Sequence, residues 1–370
     1  MINRNFFSLK RITIILIPIL LLLFGACSTQ PDHYSMADFA TVQKIDVHVH
    51  VTSSNPAFLE QAKADNFKLL TINTDYSDFP PIERQREIAI QLKKEYPNRL
   101  AFASTFHMTG WDEQGWTEKT IRHLDSTFDE GAIAVKVWKN IGMEFRDKDG
   151  NLVMIDDPGF DPIFAHLQQK NIRLIGHQGE PKNCWLPIDQ MTVNNDKSYF
   201  KHHPQYHMYL HPEMPSYEEQ MAARDRMLEK NMDMKFMGAH LASLEWSVDE
   251  IGKFLDHFPN AVVDMAARMG QVQYQSQRDR EKVRQFFVKY QDRILYATDE
   301  MQEPDADPQE FRNGIHRKWL QDWKYMNTDS TIQVPQVDGE FQGLKLPKEV
   351  VTKIYFMNAE KAFPTAWQKN

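Results

Sequence analysis

Residues Lys44 to Ser54 read KIDVHVHVTSS, an apolar run with histidines at alternate positions, His48 and His50. In an extended chain residues two apart point the same way, so both imidazoles can converge on one object, and a metal ion is one such object. The alternative is a half-exposed strand whose Val47 and Val49 face a core while the histidines face water. The stretch also bears on the fold. No glycine-rich loop follows it, and such a loop would mark the dinucleotide site of an open, doubly wound sheet.

Working outward, short β-rich runs recur near 44–51, 67–73, 99–106, 132–138, 172–177, 234–240, 261–267 and 293–299. Between them stand amphipathic helical patterns such as PIERQREIAIQLKKEY, WTEKTIRHLDSTF, DPIFAHLQQKN, SYEEQMAARDRMLEKN and SVDEIGKFLDHF, several opened by Pro, Asp or Ser signals. Eight strand–helix units predict a closed parallel (β/α)8 TIM barrel of the α/β class. Three long stretches interrupt the alternation, after the fourth, fifth and eighth strands. In a barrel these loops build the face that carries active sites. The first of them contains DKDGN, a hairpin-turn sequence.

The chain has 370 residues, 25% charged and 42% apolar, as in ordinary globular proteins. A net charge of -8 argues against a nucleic-acid partner, which basic patches normally meet. The first 26 residues have a basic start at Arg4, Lys10 and Arg11, an apolar run from Ile12 to Phe24, and small residues before Cys27. That is the pattern of an export signal, and its run is shorter than the about 20 residues a membrane-spanning helix needs. It resembles a bacterial lipoprotein signal, which implies acylation of Cys27, a tether over 27–41 ahead of the barrel over 42–370, and a lipid-anchored place in the cell envelope. Cys184 then has no partner for a disulfide within the chain. The sequence leaves a homo-oligomer open.

Other strand candidates also end in metal-capable residues: the fifth in His177, the sixth in His240, the eighth in Asp299. A parallel barrel brings these ends to one mouth, and nitrogen and carboxylate donors suit zinc and similar ions. Taken singly, His240 could be a core histidine and Asp299 a helix cap.

The segments DVHVH, LIGHQGEP, FMGAHLAS, PNAVVDMAAR and DRILYATDE together resemble the amidohydrolase superfamily, in particular its amidohydrolase-related branch. That branch includes aminocarboxymuconate semialdehyde decarboxylase, dicarboxylate lactonases and sugar-lactone hydrolases. The resemblance implies that His48, His50, His177 and Asp299 bind one divalent metal, zinc or alternatively manganese. It further implies that His240 is an acid or base, with Asp299 sharing the proton chemistry, and that activated water cleaves an ester, lactone or amide of a small polar substrate. Decarboxylation is the alternative reaction. A binding lipoprotein without turnover is a third.

Many members of the superfamily bridge two metals through a modified lysine on the fourth strand, where this chain has AVKVWKN. Lys136 and Lys139 should lie on opposite faces of a strand, so at most one should point inward. Lys136 becomes a candidate contact for a substrate anion, with a solvent-reaching lysine as its alternative. Arg268, after the seventh strand, and Trp185, in the aromatic and histidine-rich loop after the fifth, suit a planar or sugar-like carboxylate. The histidines of that loop, His202, His203, His207 and His211, could otherwise form a second metal site or a solvated lid.

Overall fold

The computed structural model describes residues 1–2 and 32–368. Eight parallel strands run in chain order: β1 (Lys44–Val51), β2 (Phe67–Ile72), β3 (Leu100–Ala103), β4 (Ala134–Val137), β5 (Arg173–Gly176), β6 (Phe236–Gly238), β7 (Ala261–Asp264) and β8 (Ile294–Leu295). The ladders β3-β2-β1 and β4 to β8 are joined at one seam by the bridge between Ser104 and Val135. At the other seam Val47 N donates to Tyr296 O at 3.1 Å and Asp299 N to His48 O at 2.9 Å. The sheet therefore closes on itself as a (β/α)8 barrel. Helices Ile82–Glu95, Trp116–Asp129, Asp161–Gln169, Tyr217–Lys230 and Val248–His257 stand where the amphipathic patterns predict them.

Inside the barrel Ile45, Val47, Leu70, Ala101, Ile175 and Leu295 belong to one apolar cluster, plugged by Phe363 and Trp367. Trp367 Nε1 donates to Leu69 O at 3.0 Å, and Glu360 pairs with Lys68 at 3.1 Å. The C-terminal segment thus covers the end where β2 begins. The opposite end, where the strands finish, stays open.

Strand β1 does not alternate throughout. Asp46 pairs with Leu69 and Val49 with Thr71, so three steps on β1 match two on β2, which is a β-bulge. The extra residue flips the parity. Val47 stays in the inner cluster, His48 and His50 line the open mouth, and Val49 and Val51 join the outer cluster beneath the helices. Asp46 is turned outward, where its carboxylate accepts from Trp319 Nε1 at 3.0 Å and Thr298 Oγ1 at 2.7 Å. Strict alternation, which would put Asp46 beside the histidines and Val47 outside, is corrected by this one residue.

The long stretch after β8 also departs from expectation. It forms β9 (Met301–Gln302), the helix Pro308–Asn327 and the hairpin β10 (Thr331–Val334) and β11 (Val337–Gln342). Most of it packs outside the barrel: Trp319 stacks on Phe67 with centroids 4.0 Å apart, a contact worth about 0.5–1.5 kcal/mol beyond its buried area. The expected tether is shortened as well. From Asp32 the chain belongs to the main body; Phe39 is buried and His33 Nδ1 bonds Leu346 O at 2.9 Å. Cys27 and the rest of the expected signal beyond residue 2 lie outside the described residues. Among the described residues no helix is long and apolar enough to cross a membrane.

Candidate active site

The open mouth holds a cavity of about 490 Å³, lined among others by His48, His50, Lys136, His177, His240, Arg268 and Asp299. Each comes from the end of a different strand or the turn after it, apart from the β1 pair. Five expected residues of the metal and acid–base set therefore share one wall. Ligand-type atoms of His48, His240 and Asp299 lie within 4.8 Å of one another. His50 Nε2 joins them at 3.3 Å from Asp299 Oδ1, and His177 Nδ1 at 3.2 Å from His240 Nε2.

Hydrogen bonds behind the rings assign their tautomers. His48 Nδ1 donates to Asp264 Oδ2 at 2.9 Å, and His50 Nδ1 to the Ile72 carbonyl at 2.8 Å. Both Nε2 atoms are thereby turned toward Asp299 Oδ1, at 3.2 Å from His48 and 3.3 Å from His50. His240 Nδ1 donates to Ala266 O at 3.0 Å, which leaves its Nε2 as acceptor for His177 Nδ1–H. His177 Nε2 is then an unprotonated nitrogen, buried and without a partner.

Burial holds His48 below its ordinary pKa, reinforced by Lys136. It holds His177 and His240 well below theirs. Burial alone would raise Asp299, but His240, His48 and His50 outweigh it and keep the carboxyl well below the usual range. The result is a set of neutral imidazole nitrogens facing a carboxylate, with an orphaned lone pair at its edge. That donor set fits a divalent ion with nitrogen and oxygen ligands.

Lys136 Nζ lies 3.3 Å from His48 Nε2, and burial pushes it down to about 8 against the pull of Asp264 and Asp299. Lys139 lines the same cavity, paired with Glu180. The expectation that only one of these lysines points inward fails because β4 ends at Val137; beyond it the chain turns, and strand parity no longer applies. Arg268 is buried, its Nε without a partner, and the unpartnered Asn195 Oδ1 and Thr74 Oγ1 share the cavity. Tyr76, Phe79, Trp138, Tyr199 and Phe200 form its aromatic wall.

Trp185 is not part of it. Its indole N–H donates to Pro215 O at 3.1 Å and its ring packs edge-on against Tyr217, so its place as a substrate contact is withdrawn. The loop histidines do not gather either: His202, His203, His207 and His211 each bond a backbone carbonyl. The only candidate metal group among the described residues is the one in the mouth.

Asp264 escaped the sequence reading. Fully buried at the end of β7, it accepts from His48 Nδ1 and, through Oδ1, from His240 N at 2.8 Å. Burial raises its pKa, yet His48 leads the groups that hold it below the usual range. A lone carboxylate in the apolar run AVVDMAA was the available signal.

The turn after β6 is equally unforeseen. His240, Leu241, Ala242 and Ser243 have φ of 58, 58, 57 and 56°, with Ala267 at 55° and Asp299 at 66°. Left-handed backbone costs about 1–2 kcal/mol per L-residue, and such strain concentrates at functional sites.

A family model described as amidohydrolase matches residues 142–365, more than half of the chain. The chain belongs to the amidohydrolase family. The amidohydrolase match takes in His177, His240, Asp264, Arg268 and Asp299; His48, His50 and Lys136 precede it. No curated protein sequence matches the chain. Among solved structures, an uncharacterised TIM-barrel protein from Bordetella bronchiseptica is 14% identical, with a TM-score of 0.51 over 88% of this chain and 100% of that one. The 2,6-dihydroxybenzoate decarboxylase from Rhizobium is 14% identical, with a TM-score of 0.50 over 87% of this chain and 98% of that one. These likenesses show the barrel fold.

Asp264→Asn tests the support behind the rings. The new amide would present N–H to His48 Nδ1 and drive the ring proton onto Nε2, the nitrogen turned toward Asp299. Zinc affinity, measured by competition with a chromogenic chelator, should fall about 10- to 100-fold. Unchanged affinity would mean that Asp264 does not set the His48 tautomer.

Proposed function

We propose that this amidohydrolase is a metal-dependent hydrolase that cleaves an ester, lactone or amide bond of a small, carboxylate-bearing or sugar-acid-like substrate. The observation that carries this reading is the meeting of His48, His50, His177 and Asp299 with His240, in a cavity that also offers the unpaired edge of Arg268. His48, His50, His177 and Asp299 would hold one divalent ion, zinc in the first instance. When bound, such an ion supplies Lewis acidity at a carbonyl and makes water more acidic.

The chain's own groups supply the rest. His240, neutral and anchored through Nδ1 and its backbone N–H, can take a proton at Nε2 and return it to the leaving oxygen or nitrogen. Asp299, held ionised, can share that proton. Arg268 and Lys136 place positive charge where a substrate carboxylate would sit, and the aromatic wall offers flat apolar surface to a ring. We place the enzyme in the cell envelope, anchored to a membrane through a lipid on Cys27.

A panel of lactones, sugar-acid esters and amides, run on zinc-loaded protein with metal analysis, tests the reading. Hydrolysis of a carboxylate-bearing member supports it, and release of carbon dioxide from carboxylate substrates would replace it with a lyase. Binding of panel members without turnover would favour a binding protein. Arg268→Met should raise KM for a carboxylate substrate roughly ten- to a hundredfold, as expected for a lost charge-assisted hydrogen bond, while kcat changes little.

A further inference from the structure

The left-handed turn His240–Ser243 contains no glycine, the residue that adopts such backbone without penalty. Other residues enter this region singly, so four in succession persist only where neighbours hold them. Three groups do so here. Asp264 Oδ1 accepts from His240 N at 2.8 Å. Tyr217 donates its hydroxyl proton to Ser243 O at 2.6 Å. Arg224, buried on the same helix as Tyr217, donates through Nη1 to the Ala242 carbonyl. Space is made at Gly238, where a Cβ would lie 2.5 Å from that of Ala242.

The helix Tyr217–Lys230 that carries two of these grips is itself fixed. Ser216 and Glu219 form a reciprocal cap at its start. The Arg224 guanidinium lies 4.5 Å from the centre of the Phe254 ring, while its Nε and Nη2 bond Asp225. Neither Arg224 nor Tyr217 lines the cavity.

We propose that Arg224, with Tyr217 beside it, is a positioning residue for His240. Its hold on the Ala242 carbonyl keeps the turn left-handed, and the left-handed turn aims the imidazole at His177 and Asp299. The inference rests on the acid–base role given to His240 above. Without the grip, the turn can relax toward right-handed backbone and carry the ring off its partners.

The test uses the full chain loaded with zinc and labelled with ¹⁵N-histidine, the His240 signal being assigned by its absence in His240→Ala. Arg224→Met removes the guanidinium and keeps an apolar stem. It should retain zinc, yet shift or split the His240 signal and lower kcat on the best panel substrate about ten- to a hundredfold, the scale of an ångström misplacement, with KM little changed. Arg224→Lys should restore part of both readouts. Adding Ser243→Gly to Arg224→Met should do the same, because glycine adopts without penalty the left-handed backbone that the arginine enforced.

A His240 signal unchanged in Arg224→Met, or no recovery in either rescue variant, would overturn the proposal. Should the panel give no turnover at all, the hydrolase reading fails, and the histidine signals still decide whether Arg224 holds the turn. If Arg224→Met does not fold, Tyr217→Phe, which removes only the hydroxyl, takes its place: a shifted His240 signal with a lowered kcat supports the proposal, and an unchanged signal overturns it.

Discussion

His240→Ala is expected to leave the bound metal in place and to lower kcat by roughly two to four orders of magnitude, the range for loss of a positioned acid or base. Three features single out this residue. Its Nδ1 and backbone N–H are both committed, to Ala266 O and Asp264, so the ring has one orientation, with Nε2 unprotonated and accepting from His177 Nδ1. Burial keeps it neutral, so that nitrogen presents a lone pair at neutral pH. Its ring centroid is 4.9 Å from that of His48 and 4.1 Å from that of His177, close enough to serve a substrate held at the same centre. Elemental analysis on the same sample separates two outcomes. Full metal with a depressed rate fits an acid or base, whereas loss of metal would make His240 a ligand, as its place in the group with His48 and Asp299 allows. An unchanged rate would reduce it to a structural role.

Much of the barrel could be read in the chain because every strand–helix unit repeats the same two periodicities, and strand ends in a parallel barrel meet whatever their sequence separation. His48, His177 and Asp299 were legible for that reason. Features set by single residues of backbone were not. The bulge in β1 leaves no mark in KIDVHVHV, yet it decides that Asp46 faces Trp319 and Val47 the barrel interior. The end of β4 at Val137 likewise frees Lys139 from strand parity.

Nor does HLAS announce a left-handed turn, because the usual glycine signal is missing and the conformation is enforced by Arg224 and Tyr217 from a distant helix. Trp185 shows the reverse error. An aromatic residue in a loop after a strand end looks like a substrate platform, but a neighbouring carbonyl and Tyr217 claim both its polar and its apolar parts.

His50→Ala is expected to abolish stoichiometric metal binding, read by elemental analysis after dialysis against zinc. The ring is fixed from behind by the Ile72 carbonyl and from the side by Phe79, centroid to centroid 4.9 Å, so its Nε2 is directed at Asp299 Oδ1 before any ion arrives. Such preorganisation gives a ligand its affinity, and neither of two nearby groups can replace it: Thr74 is too short, and Lys136 is directed at His48. The loss should reach function as well, because the hydrolase reading needs the ion. Zinc added in excess should restore little of the rate. Retained stoichiometric zinc in His50→Ala would move the centre onto His48, His240 and Asp299, the three whose ligand atoms already lie within 4.8 Å of one another. That result would also take the acid–base role away from His240, so the two substitutions constrain each other: a metal site that keeps His50 leaves His240 free for proton transfer, and one that dispenses with it does not.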